Sequence, residues 1–385
     1  MDRTINIVCF LIFASALTVR AVDPVIPQIA TDFAVSTSTA AMLAAGFAAY
    51  GFVQPVLGPV ADAIGKTKVM IGCLAILAAS TFLSAVVTDF TLLFILRVLS
   101  GAACGGSFPI GMAMISDLVP LSQRQIVIGK LLSATISGNL LGASAAGVIA
   151  DAFHWRAVFV VLGIICVVAL IAGIVGLRGV QDAPPQPLNV RSVLRRNREI
   201  LSIRTARICY LTVIVEALLL FGIFPYVAVL LLAGGEPRAS IAGLVIAAFA
   251  VGGMVYSLSV RQLLGWFGQK KIMIAGGAIA AAGLLVVAPG PAWPVQAVAF
   301  AAMGCGFYML HASIQVYVTE LAPATRSSAV AFHTLSFFIG AGISPILYGF
   351  GLEWLGAPVT LSIAAVGMAA VGVVAALLLV RPKTT

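Results

Sequence analysis

Apolar runs long enough to cross a bilayer follow one another from residue 4 to residue 380 of this 385-residue chain. A helix rises about 1.5 Å per residue, so roughly 20 residues span the hydrocarbon layer. We read twelve spans, at approximately 4–29, 40–61, 68–88, 90–116, 126–150, 155–177, 205–232, 239–262, 271–290, 293–318, 326–350 and 355–380. Charged residues make up only 9% of the chain and apolar ones 61%, against about 25% and somewhat under half in a soluble domain. No soluble core hides that much apolar surface, so lipid is the solvent. Lipid leaves helices or closed barrels as the spanning structures. The runs do not alternate in polarity as barrel strands do, so the expected class is an all-α membrane protein.

The net charge of +9 raises nucleic acid as a partner, but the basic residues fall between apolar runs and not on one surface. With both termini cytoplasmic, eighteen of the 22 Lys and Arg face the cytoplasm, Arg156 and Arg238 face the other side, and Arg20 and Arg97 lie inside spans. That asymmetry sets the orientation and points to a bacterial-type cytoplasmic (inner) membrane. Cys9, Cys73, Cys104, Cys166, Cys209 and Cys305 all sit in apolar runs without metal spacing, and read as packing residues. The first run also resembles a signal peptide, with Ala14-Ser15-Ala16 as its cleavage site, yet it continues apolar beyond that point. Residues 179–204 differ in composition, with Pro184, Pro185 and Pro187 followed by Arg191, Arg195, Arg196 and Arg198. They are expected to link a bundle at 1–178 to a second at 205–385. The basic part reads either as an amphipathic helix on the membrane surface or as a solvated tether.

The two parts repeat. Asp117-Leu-Val-Pro120 returns as Glu320-Leu-Ala-Pro323, Gly65-Lys-Thr-Lys68 as Gly268-Gln-Lys-Lys271, and Gly101 as Gly304, each 203 residues on. After the second span stands Gly58-Pro-Val-Ala-Asp62-Ala-Ile-Gly65-Lys66-Thr-Lys68. Gly58 is expected to allow close helix approach and Gly65 a tight turn, with Asp62 at a helix end and Lys66 and Lys68 holding the loop. The loop resembles the G-x-x-x-D-x-x-G-R/K-x-R/K signature of the major facilitator superfamily. The fold that this implies is twelve helices in two pseudo-symmetric six-helix bundles, with a substrate site between them. Asp62 then has a latch role. Gly265 stands where the second copy would hold its Asp. Arg97-Val-Leu-Ser-Gly101 is similar to the family's R-x-x-Q-G motif, with Ser100 in place of Gln, and implies proton coupling or substrate-linked motion. Gly129, Gly138, Gly142 and Gly147 look like the fifth-span motif of drug:proton exporters, with Ala143 and Ala146 replacing its Pro and penultimate Gly. Small residues every fourth position make a face on which helices pack closely.

An arginine within a span costs about 2.5–3.5 kcal/mol on the insertion scale, so Arg97 needs a partner or a wet cavity. Arg20 and Asp23, three residues apart, are expected to pair on one helix face, either lining the pathway or ending the span, with Pro24 and Pro27 breaking the helix. Glu216 is the sole acid well inside a span of the second half, and an acid at that depth is a candidate proton or substrate site. His311 and His333 also lie in spans and can titrate, although a histidine satisfied within the core is the commoner case. Asp117 and Glu320 are expected to form gate ion pairs with Arg124 and Arg326. No phosphate-binding loop appears, nor any metal cluster or nucleophile constellation, so no cofactor and no enzyme chemistry are expected.

Together these features lead to a proton-driven antiporter that exports a small organic compound, energised by the proton gradient; the family resemblance implies a monomer. Two alternatives stand beside it: a proton-coupled importer of a sugar, organic acid or other metabolite, and a transport-inactive membrane sensor or scaffold.

Overall fold

The computed structural model describes residues 2–180, 190–321 and 326–380, without the side chains of residues 2, 116, 121–125, 190–194, 196, 326 and 327. Among the described residues the secondary structure is helical throughout. The chain divides into two compact units, Met1–Asn189 and Val190–Thr385.

Unit 1 begins with α1 (Asp2–Leu17), which gives way to a 3₁₀ turn at Asp23–Val25 and then α2 (Ile26–Asp32). Pro24 suits the start that follows: it lacks the N–H of a continuing helical ladder but fits the first turn of a new helix. There follow α3 (Thr37–Gly46), α4 (Ala49–Ile64), α5 (Lys66–Ser84), α6 (Phe90–Leu118), α7 (Leu121–Ala152) and α8 (Trp155–Gly176). Helix starts are capped from the sequence. Ser36 accepts from the Thr39 N–H at 3.0 Å and Asp89 from the Leu92 N–H at 2.8 Å. Gly65, at φ +106°, ends α4 and opens α5, a left-handed conformation that a side chain would strain.

Unit 2 repeats the pattern. The helix α9 (Val190–Ser202) leads into α10 (Arg204–Phe221), a second 3₁₀ turn at Phe224–Tyr226 and α11 (Val227–Ala233). Pro225 occupies the middle of this turn as Pro24 does of the first. The next element, α12 (Ala239–Val287), is 49 residues long and carries a non-helical Gly268 at φ +71°, so it supplies two spans. The last three are α13 (Trp293–Leu321), α14 (Arg326–Trp354) and α15 (Gly356–Leu379).

Among the described residues, ten helical segments are long and apolar enough to cross a membrane. Dividing α12 at Gly268, and adding the first span as α1 and α2 broken at the turn, gives six spans per unit. Residues 190–202 of the basic segment form a helix packed on α10 and α14, with Ile200 buried and Arg195 and Arg198 exposed. The three prolines before it lie outside the described residues.

Candidate functional site

The second unit brings three sequence candidates together. Glu216 on α10, His311 on α13 and His333 on α14 converge in the interior, with Glu216 and His333 essentially inaccessible. The Glu216 carboxyl and the His311 ring meet at 3.1 Å, Oε2 to Nδ1, and the His311 and His333 ring centroids lie 4.6 Å apart. One proton can occupy the short contact in two ways. On Nδ1 it is donated to the carboxylate; on the carboxyl it is donated to the ring nitrogen. Glu216 Oε1 and His333 Nε2 have no hydrogen-bond partner among the described residues. Buried polar atoms of this kind call for an explanation, and a site that exchanges protons or ligands supplies one.

Aromatic rings wall in this cluster. Phe307 stacks on His311 at 4.7 Å and Phe337 packs edge-on to it at 5.6 Å. Phe221 joins Phe337, Phe307, Phe224 and Phe249 at 4.8–5.6 Å. Such walls exclude water and strengthen electrostatic interactions inside.

The first unit holds the other three candidates. Arg20 donates from Nη1 to Asp23 Oδ2 at 3.3 Å, as expected. The reason differs from the sequence argument, however: α1 ends at Leu17 and Asp23 opens the 3₁₀ turn, so the pair bridges a break and does not share a continuous helix face. Arg97 on α6 is 2% exposed. Its Nη1 reaches the Thr18 carbonyl at 3.4 Å, at the long limit of a hydrogen bond, and its guanidinium lies 4.6 Å over the Phe47 ring. Ser100, standing where the family motif has Gln, exchanges a hydrogen bond with Ser80 at 2.8 Å.

At the other end of unit 1 the signature loop forms a charge cluster. Lys66 lies at the N-terminus of α5, where the helix dipole disfavours a cation. Two carboxylates offset this: Asp117 Oδ2 at 2.5 Å and Asp62 Oδ1 at 3.6 Å. Asp117 therefore pairs with Lys66; the expected partner Arg124 has its side chain outside the described residues. So does Arg326, the expected partner of Glu320, which is itself exposed. Lys68 is also exposed. Gly58 corrects a second expectation, since a Cβ there would meet open space, so among the described residues it mediates no close approach. If the cluster is a latch, Asp117→Asn should slow turnover about tenfold with little change in substrate affinity, and Asp62→Asn less, because its contact is longer and half exposed. Turnover against Kd in proteoliposomes checks both; a large affinity loss at either position would place it in the binding site.

The fifth-span motif is half realised. A Cβ at Gly138 would meet the Phe13 carbonyl at 2.7 Å, and one at Gly142 would collide with the Leu17 carbonyl. These two glycines seat α7 against the end of α1. Ala143, Ala146 and Gly147 are buried beside them, whereas Gly129 faces open space. With Ala in place of Pro at 143, α7 runs unbroken from Leu121 to Ala152.

The sequence profile of the Major Facilitator Superfamily matches residues 8–324 and again 237–385. The chain belongs to the major facilitator superfamily. The twelve-span, two-unit expectation thus stands, and members of this superfamily are transporters, not enzymes. Among curated proteins the chain is similar to YfhI of Bacillus subtilis, an uncharacterized MFS-type transporter, with 28% identity over 174 residues. That match covers 45% of this chain and 42% of YfhI. It is also similar to the quinolone resistance protein NorA of Staphylococcus aureus, 30% identical over 176 residues, 46% of this chain and 45% of NorA. The chain thus aligns with less than half the length of these relatives.

Sequence reasoning about this major facilitator chain missed one cluster. Asp32, at the end of α2, accepts from Trp155 Nε1 at 3.0 Å and from Arg156 Nη1. Arg156 also donates to the Val87 carbonyl at 3.1 Å and lies 4.3 Å over the Trp155 ring. The Arg156 and Trp155 hydrogen bonds both end on the same Asp32 carboxyl oxygen, Oδ2. More than 120 residues separate the partners, and an acid ending a span carries no local pattern that announces them.

Proposed function

We propose that this chain is a proton-coupled antiporter that exports a small organic compound by alternating access. It sits in the cytoplasmic membrane with both termini inside, and the proton gradient is its energy source. The observation that carries the reading is the buried Glu216–His311 contact with His333 beside it. A carboxyl, two imidazoles and an aromatic wall form a store for an exchangeable proton. In the cycle, an external proton enters this cluster and leaves to the cytoplasm as substrate moves outward. The seat of α7 on α1, built from the glycines of an exporter-like motif, supports export. So does the partial similarity to NorA, whose name records quinolone resistance.

The unbroken course of α7 through Ala143 favours a second reading, proton-coupled import, because the motif's proline is missing. Everted membrane vesicles with an acidified lumen separate the two. Screened against a panel of fluorescent drugs and metabolites, an antiporter accumulates its substrate in the lumen and dissipates the gradient on addition. An importer expels preloaded substrate from the lumen as protons leave. No substrate-dependent flux for any compound, from protein shown to be folded, would reject transport.

A further inference from the structure

The two units place different chemistry at one packing node. Asp23 and Phe224 each open the 3₁₀ turn that ends the first long helix of their unit. Arg97 and Phe300 stand four residues before Gly101 and Gly304. A Cβ at Gly101 would meet the Phe47 carbonyl, and one at Gly304 the Phe249 carbonyl, so Phe47 and Phe249 also correspond. In unit 2 the node is three rings, with Phe224 at 5.1 Å from Phe249 and 5.6 Å from Phe300. In unit 1 it is Asp23, Arg97 and Phe47. The helices can therefore be packed at this node without an arginine.

What the guanidinium brings is an unused hydrogen-bonding edge. Nη1 takes the long contact to Thr18, while Nε and Nη2 have no hydrogen-bond partner among the described residues. Nε and Nη2 form the parallel fork that fits a carboxylate in two hydrogen bonds. Asp23 is near enough to feel the Arg97 charge, but its Oδ2 is engaged by Arg20 and its Oδ1 makes no hydrogen bond. Among the described residues, the other groups placed against the guanidinium, Phe47, Cys104 and Thr18, bring no second acid.

We infer that the Nε–Nη2 edge of Arg97 is a carboxylate-binding subsite inside unit 1, and that the transported compound carries a carboxylate. The second clause rests on the transport reading above; the subsite does not. A substrate carboxylate reaches Arg97 when unit 1 opens, forms both hydrogen bonds, and is released when solvent replaces the fork.

The test is thermal unfolding of the purified full chain in detergent at matched ionic strength. The probes are acetate, benzoate and salicylate, each against its neutral amide. Ligands that bind the folded state raise its melting temperature. At least one carboxylate should stabilise the wild type more than its amide does. Arg97→Lys, which keeps the charge and loses the fork, should weaken that binding about tenfold or more. Arg97→Phe, the residue found at the corresponding place in unit 2, should abolish it, with folding checked by circular dichroism and gel filtration. Equal responses to acid and amide in all three pairs would overturn the subsite, as would a carboxylate response that Arg97→Lys leaves intact. Binding through Arg97 without proton-linked movement of the bound acid would instead sink the transport reading and leave the subsite standing.

Discussion

Glu216→Gln is expected to abolish proton-coupled flux, by about a hundredfold or to background, while leaving the protein folded. The substitution keeps the shape of the side chain and one hydrogen-bond acceptor for His311, so packing in unit 2 survives. In the proposed cycle, what it removes is the group that alternates between carboxyl and carboxylate. General acid–base groups of this kind contribute about 10²–10⁴ to a rate. The check is substrate-driven proton movement in proteoliposomes, beside the melting temperature of the same sample. Equilibrium exchange of substrate, with no gradient present, should persist in the variant if only coupling is lost. Wild-type coupled flux would remove Glu216 from the mechanism and leave the histidines as carriers.

The second large effect is structural. Gly142→Val is expected to destabilise unit 1 by about 3 kcal/mol or more, at or above the upper end for overpacking. The added carbons point at the Leu17 backbone carbonyl, not at the end of a flexible side chain. Backbone on both sides leaves no cheap adjustment. Gly129→Ala, within the same motif, should do the reverse and stabilise by up to about 1 kcal/mol, since its Cβ meets open space. Denaturant unfolding in detergent micelles distinguishes them. Similar responses at the two glycines would mean that the motif does not seat α7 on α1 as described.

Much of this was legible because the bilayer imposes length and burial rules on the sequence. Span limits, the break at Pro24 and the turn at Gly65 follow from backbone chemistry that single residues announce. The 203-residue correspondence located the repeat without any structure. Legibility fails where function depends on which helix face points inward, because a span that is apolar all round has no informative period. Glu216, His311 and His333 were each visible as oddities in lipid, but their convergence from three helices was not. Lys66 illustrates the same limit. Its spacing to Asp62 is local and readable, whereas Asp117, the tighter partner, lies 51 residues away. Gly58 shows the opposite limit, because a glycine in a motif suggests a close contact while its neighbourhood is open. The divergence of the two units at Arg97 and Phe300 emerges only when both packing nodes are compared.

Infrared difference spectroscopy of the lipid-reconstituted protein through a pH titration addresses the proton store most directly. A carbonyl stretch of a protonated carboxyl that fades as pH rises, and that is missing from Glu216→Gln, is the expected result. A wild-type spectrum indistinguishable from that of Glu216→Gln at every pH would contradict it, because Glu216 would then exchange no proton.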